Sequence, residues 1–368
     1  MKVAIIHDYL NQFGGAERVV SAFNEIYPEA PIFTSIYNEG RLPDNFKRMD
    51  IRTSFMQSIP FIFPLHKMVF PLYPLAFESF DLSGYDVILS SSSAFAKGIK
   101  KREDQLHICY CYTPARFLYR FDDYVKREGF PGPVKAILPY LLEPIKKWDI
   151  VNSRRVDHFV AISGTVAERI RQIYGRESDI IFPPVETGLF RLSAIERDYF
   201  LVVSRLNSYK RIDVAIETFS RLDLPLKIIG AGPDLSRLKK LAGPNIEFLG
   251  RRPDNEIAKY LAECRALVFP GEEDFGIVPL EAMASGRPVI AFRAGGALET
   301  VVEGVNGLFF DRQTPEALAQ AVERFRFSVF DKQKIREHAL KFDKKIFKEK
   351  IERFVKEKYE KRSKNTQS

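Results

Sequence analysis

Apolar residues in this chain gather in short runs separated by longer amphipathic stretches, and the alternation is plainest in the second half. Runs at 199–204 (YFLVVS), 226–230 (LKIIG), 245–249 (NIEFL), 266–269 (ALVF), 288–291 (PVIA) and 307–310 (GLFF) predict strands. Between them, helical periodicity predicts helices over 210–221, 234–242, 254–263, 279–285, 297–303 and 315–326. Short apolar strands alternating with helices predict a parallel, doubly wound sheet covered on both faces. The first half opens the same way. A strand at 2–7 and a turn at Gly14-Gly15 precede a helix over 16–26, whose Val19, Val20 and Phe23 share one face. Further strands are predicted at 31–36, 86–90, 106–112, 157–162 and 179–182.

The stretch 183–198, PPVETGLFRLSAIERD, has two prolines and mixed polarity and reads as a linker. The predicted fold class is therefore α/β, with two Rossmann-like domains, 1–185 and 186–345. Two domains joined in this way normally leave a cleft between the carboxyl ends of their strands. A basic helix over 346–362 either completes the first domain or adds to a basic surface, and 363–368 reads as a flexible tail.

Composition narrows the class. A chain of 368 residues is too long for one ordinary core, and its 45% apolar and 28% charged residues describe a folded protein. No segment offers the roughly 18 uncharged apolar residues that cross a bilayer, and MKVAIIHDYL reads as a strand, not a secretory signal. Cys109, Cys111 and Cys264 show neither zinc spacing nor an even disulfide framework, which points to a reducing cytoplasm. The net charge of +8 favours anionic partners without choosing among them. Dispersed basic residues, with no helix-turn-helix or stacking platform, argue against nucleic acid.

The candidate chemistry sits at predicted strand ends. Residues 273–281 read EDFGIVPLE, two glutamates flanking a Phe-Gly-Ile turn between a strand and a short helix closed by Gly286. Pro279 suits the first helical turn and Gly286 the position just past the end. This places Glu273 on the loop, Glu281 in the first turn, and the amides around Gly276 at a helix N-terminus, where anions are favoured. RLNSYKR follows the strand ending at Ser204, so Arg205 and Lys210 can meet a phosphate there, unless they are ordinary surface charge. Gly230 and Gly232, in IIGAGP, permit close backbone approach to a ligand or simply make a tight turn. Gly295-Gly296 allows the same two readings. Several such loops leave one sheet edge and surround EDFGIVPLE, which suits a ligand with phosphate in the middle and hydroxyls at both ends.

Together EDFGIVPLEAMASGRPVIA, RLNSYKR and IIGAGP resemble the retaining nucleotide-sugar glycosyltransferases of family 4, which have the two-domain GT-B fold. HDYLNQFGGAERV, CYTPARFLY and PPVETGLF extend the resemblance over nearly the whole chain. The resemblance implies that Glu281 meets the ribose hydroxyls and Glu273 the donor sugar. It implies that the amides of Phe275, Gly276 and Ile277 meet the diphosphate and sugar, that Arg205 and Lys210 neutralise the diphosphate as it leaves, and that Gly14 and Gly15 close over the phosphates from the first domain. It also implies retention, with a donor phosphate oxygen helping to deprotonate the acceptor. No cofactor or metal is expected, since Asp122-Asp123, in an aromatic stretch, lacks the further ligands a magnesium site needs. One departure stands out. Family members often carry His before Thr-Pro where this chain has Tyr112, a poor proton acceptor at neutral pH. His107 reads as structural, Arg116 as either cleft or surface, and His7 and Asp8 as acceptor-side candidates.

The opening motif and PPVETGLF most resemble mannosyltransferases of polysaccharide and O-antigen assembly, which puts GDP-mannose first as donor. The expected acceptor is a glycan or lipid-linked saccharide. Residues 55–80 are dense in Phe, Pro, Leu and Met, and read either as core-packing helices or as an apolar flap touching the membrane interface near Lys67. The expected location is then cytoplasmic, peripheral at the inner face of the membrane. The alternatives are a nucleotide-sugar epimerase of the same fold and a non-catalytic scaffold in a membrane assembly complex.

Overall fold

The apolar runs of the first half become β1 (Val3–His7), β2 (Ile32–Thr34), β3 (Ile51–Thr53), β4 (Val87–Ser92), β5 (Leu106–Cys111), β6 (His158–Ala161) and β7 (Ser178–Ile180). They form one parallel sheet in the order β3-β2-β1-β4-β5-β6-β7. β1, β4 and β5 are buried along their whole length and are largely apolar on both faces, with His7 in β1, Ser90, Ser91 and Ser92 in β4 and His107 in β5 as buried polar exceptions. The second half supplies β8 (Phe200–Val203), β9 (Leu226–Ile229), β10 (Ile246–Gly250), β11 (Leu267–Phe269), β12 (Val289–Phe292) and β13 (Gly307–Phe310). Their order is β10-β9-β8-β11-β12-β13, again all parallel. In this computed structural model, residues 1–66, 68–119 and 132–367 are described. Lys67 and Asp122-Asp123 lie outside the described residues.

The chain divides into two compact units, Met1–Pro184 with Phe347–Ser368, and Val185–Ile346. In the first, the face of helix Gly15–Ile26 that carries Val19, Val20 and Phe23 is buried. Phe347, on the C-terminal helix Lys344–Gln367, stacks on Phe23 at 5.9 Å, and Arg362 pairs with Asp157 at 3.1 Å. That helix runs through the stretch read as a tail. In the second unit, helices Ile212–Leu222 and Pro315–Arg326 cover one face, with Phe200 packed between Phe219 and Phe325. The stretch read as a linker is itself ordered, because Val185 bridges Asp343 within the second unit. Helix Gly132–Ser153 was not predicted; Pro139 and Pro144 within it disguise the periodicity.

Residues 55–80 divide between the core and the surface of the first unit. Met56, Ile62, Tyr73, Ala76 and Phe77 are core, while Phe61 and Met68 are 79% and 73% exposed and Phe55, Leu65 and Leu75 also face out. Phe61 adopts φ +56°, a left-handed conformation that costs a bulky residue energy and here turns Ile62 inward.

Candidate active site

In the second sheet the winding reverses between β8 and β11. The carboxyl ends of the strands at such a reversal are where ligands bind in open α/β sheets. The loop after β8 carries Arg205 and Lys210; the loop after β11 carries Glu273. The two loops lie in contact, since a Cβ at Gly271 would fall 2.9 Å from the Lys210 carbonyl oxygen. Gln313, after β13, ties them together. Its Nε2 donates to the Pro270 carbonyl at 2.8 Å, and Arg211 donates to the Gln313 carbonyl at 3.2 Å. Arg211 itself sits at φ +53°, strain that the sequence does not advertise.

Lys210 and Glu273 meet directly as an ion pair, with side chains 10% and 22% exposed. The Lys210 ammonium also lies 5.0 Å from the centre of the Tyr209 ring. Arg205, by contrast, is exposed. The backbone of the Glu273 loop is fixed from beneath. Gly296 N–H donates to the Glu273 carbonyl at 2.9 Å, and a Cβ at Gly296 would fall 2.2 Å from Phe275 Cα. A Cβ at Gly295 would fall equally close to the Glu273 carbonyl oxygen. The Gly295-Gly296 pair is thus the bed on which Glu273 and Phe275 lie.

The helix after this loop runs Ile277–Ala284, two residues earlier at its start than predicted. Gly276 is its N-cap at φ +84°, packed so tightly on the Phe269 ring that a Cβ would lie 2.9 Å away. Gly276 brings no side-chain cap of its own, and the first-turn amides lie at the positive end of the helix dipole. Glu281 is consequently in the second turn, not the first, and is buried. The helix closes as Gly286 N–H bonds to the Met283 carbonyl and Arg287 N–H to that of Ala282, with Gly286 left-handed at φ +72°.

Gly230 and Gly232 do permit close approach, but the chain's own backbone takes the space. A Cβ at Gly230 would fall 1.8 Å from the Ser204 carbonyl oxygen, and one at Gly232 2.2 Å from that of Leu206. They hold the Arg205 loop in place through its backbone.

The first unit reverses its winding between β1 and β4, and the polar residues there are committed internally. The Asp8 carboxylate accepts from the backbone N–H groups of Ser93, Ala94, Phe95 and Ala96 at 2.6–3.0 Å and from the Ser93 hydroxyl. His7 Nδ1 lies 3.0 Å from Ser91 Oγ, and its Nε2 is 3.8 Å from the buried Glu17. Tyr112 donates to the Ala16 carbonyl at 3.0 Å and lies 2.7 Å from Ser91 Oγ. Burial raises its hydroxyl pKa further, so it is no proton acceptor. Gly14 caps helix Gly15–Ile26 at φ −158°, extended backbone open to any residue, and Gly15 is the first helical residue. Arg116 is half-buried at the start of helix Arg116–Tyr119. Sequence reasoning named neither Glu17, although it lies within the GGAER motif, nor Ser91, which follows the apolar run of β4 in a stretch of serines. His107 is wholly buried, with Nε2 against Ser90 Oγ at 2.8 Å, and burial pushes its pKa down to about 3.

Among the described residues, no group of three or more His, Cys, Asp or Glu side chains could hold a metal, and no helix is long and apolar enough to cross a membrane. The three cysteines are free and buried.

Residues 191–339, nearly the whole second unit, match the family of glycosyl transferases group 1. An uncharacterized glycosyltransferase of Methanocaldococcus jannaschii is 32% identical over 209 residues, covering 55% of this chain and 59% of that protein. A GDP-mannose-dependent alpha-mannosyltransferase of Corynebacterium glutamicum is 39% identical over 110 residues, 30% of this chain and 26% of that one. The human alpha-1,3/1,6-mannosyltransferase ALG2 is 27% identical over 286 residues, 68% of this chain and 66% of that one. The chain thus spans between about a quarter and two thirds of the length of these relatives. Among solved structures, sucrose-phosphate synthase from Thermosynechococcus elongatus aligns with a TM-score of 0.78 at 16% identity, over 98% of this chain and 99% of that one. Anabaena Alr3699/HepE, in complex with UDP, aligns at 0.71 and 17% identity, over 97% and 100%. Two parallel Rossmann-like units with these neighbours make the fold GT-B. At the level of group 1 glycosyltransferases, the resemblance read from EDFGIVPLEAMASGRPVIA and RLNSYKR is borne out over the second unit.

Proposed function

We propose that the chain is a retaining glycosyltransferase that moves a hexosyl group, mannose from GDP-mannose, to a glycan or lipid-linked saccharide. The observation that carries this reading is the meeting of Lys210, Glu273 and the helix N-terminus at Gly276 at the β8/β11 reversal, inside the segment that matches group 1 glycosyltransferases. The mannose assignment rests on the names of the mannosyltransferase relatives. That family match favours transfer over epimerisation and over a non-catalytic scaffold.

Breaking a sugar–phosphate bond builds negative charge on the departing diphosphate. Lys210, Arg205 and the amides of Gly276 and Ile277 are fixed donors for that charge and need no metal to assist them. Glu281, one turn along the helix, takes the ribose hydroxyls, and Glu273 the hydroxyls of the sugar. The acceptor attacks from the face the diphosphate leaves, and a phosphate oxygen takes its proton. This retains the anomeric configuration and asks no nucleophilic carboxylate of the protein. The outward row Phe55, Phe61, Leu65, Met68 and Leu75 supports contact with the membrane interface, where a lipid-linked acceptor sits.

Slow hydrolysis of donor without acceptor, over a panel of nucleotide sugars with and without EDTA, tests the proposal. Turnover of GDP-mannose that survives EDTA is expected. Absence of turnover with every nucleotide sugar, in the presence and absence of glycan acceptors, would refute it.

A further inference from the structure

The Lys210–Glu273 pair puts two groups in direct contact that are assigned to different parts of one ligand. Lys210 is 8% exposed, and a charge so far from water needs a counter-charge at all times. Without a ligand, Glu273 supplies it. We propose that Glu273 sets which ligand the site keeps: it expels a sugar-free diphosphate from Lys210 and yields to a sugar-bearing one. The inference rests on the donor-site reading above.

Two anions compete for Lys210. A diphosphate that reaches Lys210 must displace the Glu273 carboxylate, which then stands beside a second anion without a donor. A sugar on the diphosphate changes this, because its hydroxyls donate to the displaced carboxylate and offset the loss of the ion pair. When the sugar leaves on the acceptor, those donors leave with it, and the carboxylate returns to compete for Lys210. The competitor cannot drift away. The Glu273 backbone is held by the Gly296 N–H at 2.9 Å and bedded on Gly295 and Gly296, while Gly271 abuts the Lys210 backbone. Only the side chain has to swing, so the carboxylate acts at the high effective concentration of a tethered group.

Isothermal titration of inorganic pyrophosphate, GDP, UDP and their mannose- and glucose-bearing nucleotides into wild type, Glu273→Gln and Glu273→Ala tests the inference. Both variants should bind pyrophosphate and the sugar-free diphosphate about tenfold more tightly than wild type, a change of about 1.4 kcal/mol. The sugar-bearing nucleotide should gain nothing or weaken, and a second change, Lys210→Met, should erase the gain. Two variants guard against one failing to fold. Equal or weaker binding of the sugar-free ligands to both variants overturns the inference. If nucleotide sugars bind wild type and neither variant gains, the exchange fails while the donor site stands. If pyrophosphate binding gains but no nucleotide binds any form, Glu273 does compete with anions for Lys210, but the nucleotide-sugar reading falls and the selection of sugar-bearing ligands falls with it.

Discussion

The two sheets reverse their winding at equivalent places, yet their carboxyl edges handle charge in opposite ways. At the β1/β4 edge, Asp8 is saturated by four backbone N–H groups and a hydroxyl, and His7, Ser91 and Tyr112 bond to one another or to backbone. At the β8/β11 edge, Arg205 faces solvent and Lys210 is met by a carboxylate on a loop side chain. A buried carboxylate filled by rigid backbone donors has nothing left for a ligand and serves stability. An ion pair between two side chains can be exchanged for a ligand's charge. Chemistry-bearing residues at a sheet edge therefore declare their use by their partners, not by their type.

The largest expected effect breaks the first edge. Asp8→Ala orphans the amides of Ser93, Ala94, Phe95 and Ala96, and should cost about 3 kcal/mol or more in urea unfolding. A loss within about 0.5 kcal/mol, the range of ordinary surface changes, would mean that this carboxylate is not structural. Next, Lys210→Ala should lower turnover about 100-fold, the scale of removing one preorganised transition-state donor, while the fold survives by circular dichroism. Equal damage to folding and turnover would blur the contrast between the edges.

A smaller effect sharpens the first unit's side. His107 titrates near 6.5 when unfolded and near 3 in the fold, because burial penalises its charged form. It is neutral in both states above pH 6.5. As pH falls below that value the unfolded chain takes up the proton first, so this contribution to stability is lost at up to roughly 1.4 kcal/mol per pH unit. The loss continues towards pH 3. His107→Gln should flatten the urea-unfolding profile between pH 6 and 5 relative to wild type; parallel profiles would contradict the assignment.

Much of this was legible from the sequence, for physical reasons. Strands buried on both faces are mostly apolar, so most were found within a residue or two. β3 was missed because it is short, only partly buried, and centred on Arg52, which turns back to Asp50. Glycine said where backbone comes close but not what comes close. At Gly230, Gly232 and Gly296 it is another loop of the same unit. The sequence placed Lys210 and Glu273 on neighbouring loops, but nothing in RLNSYKR or EDFGIVPLE says that they pair. Starting the helix at Pro279 instead of Ile277 puts Glu281 two residues too near its start, in the first turn and not the second. A proline is equally at home two residues inside a helix start, because no first-turn amide has an intrahelical partner.

The central claim is that the second unit's edge is a nucleotide-sugar site built on Lys210, Glu273 and Glu281. Titrating GDP-mannose and GDP into wild type and Glu281→Ala tests it most directly. The account predicts that wild type binds both, and that the variant loses about tenfold for each alike, because both carry the ribose. Failure of both ligands to bind wild type, or unchanged affinity in the variant, would contradict it.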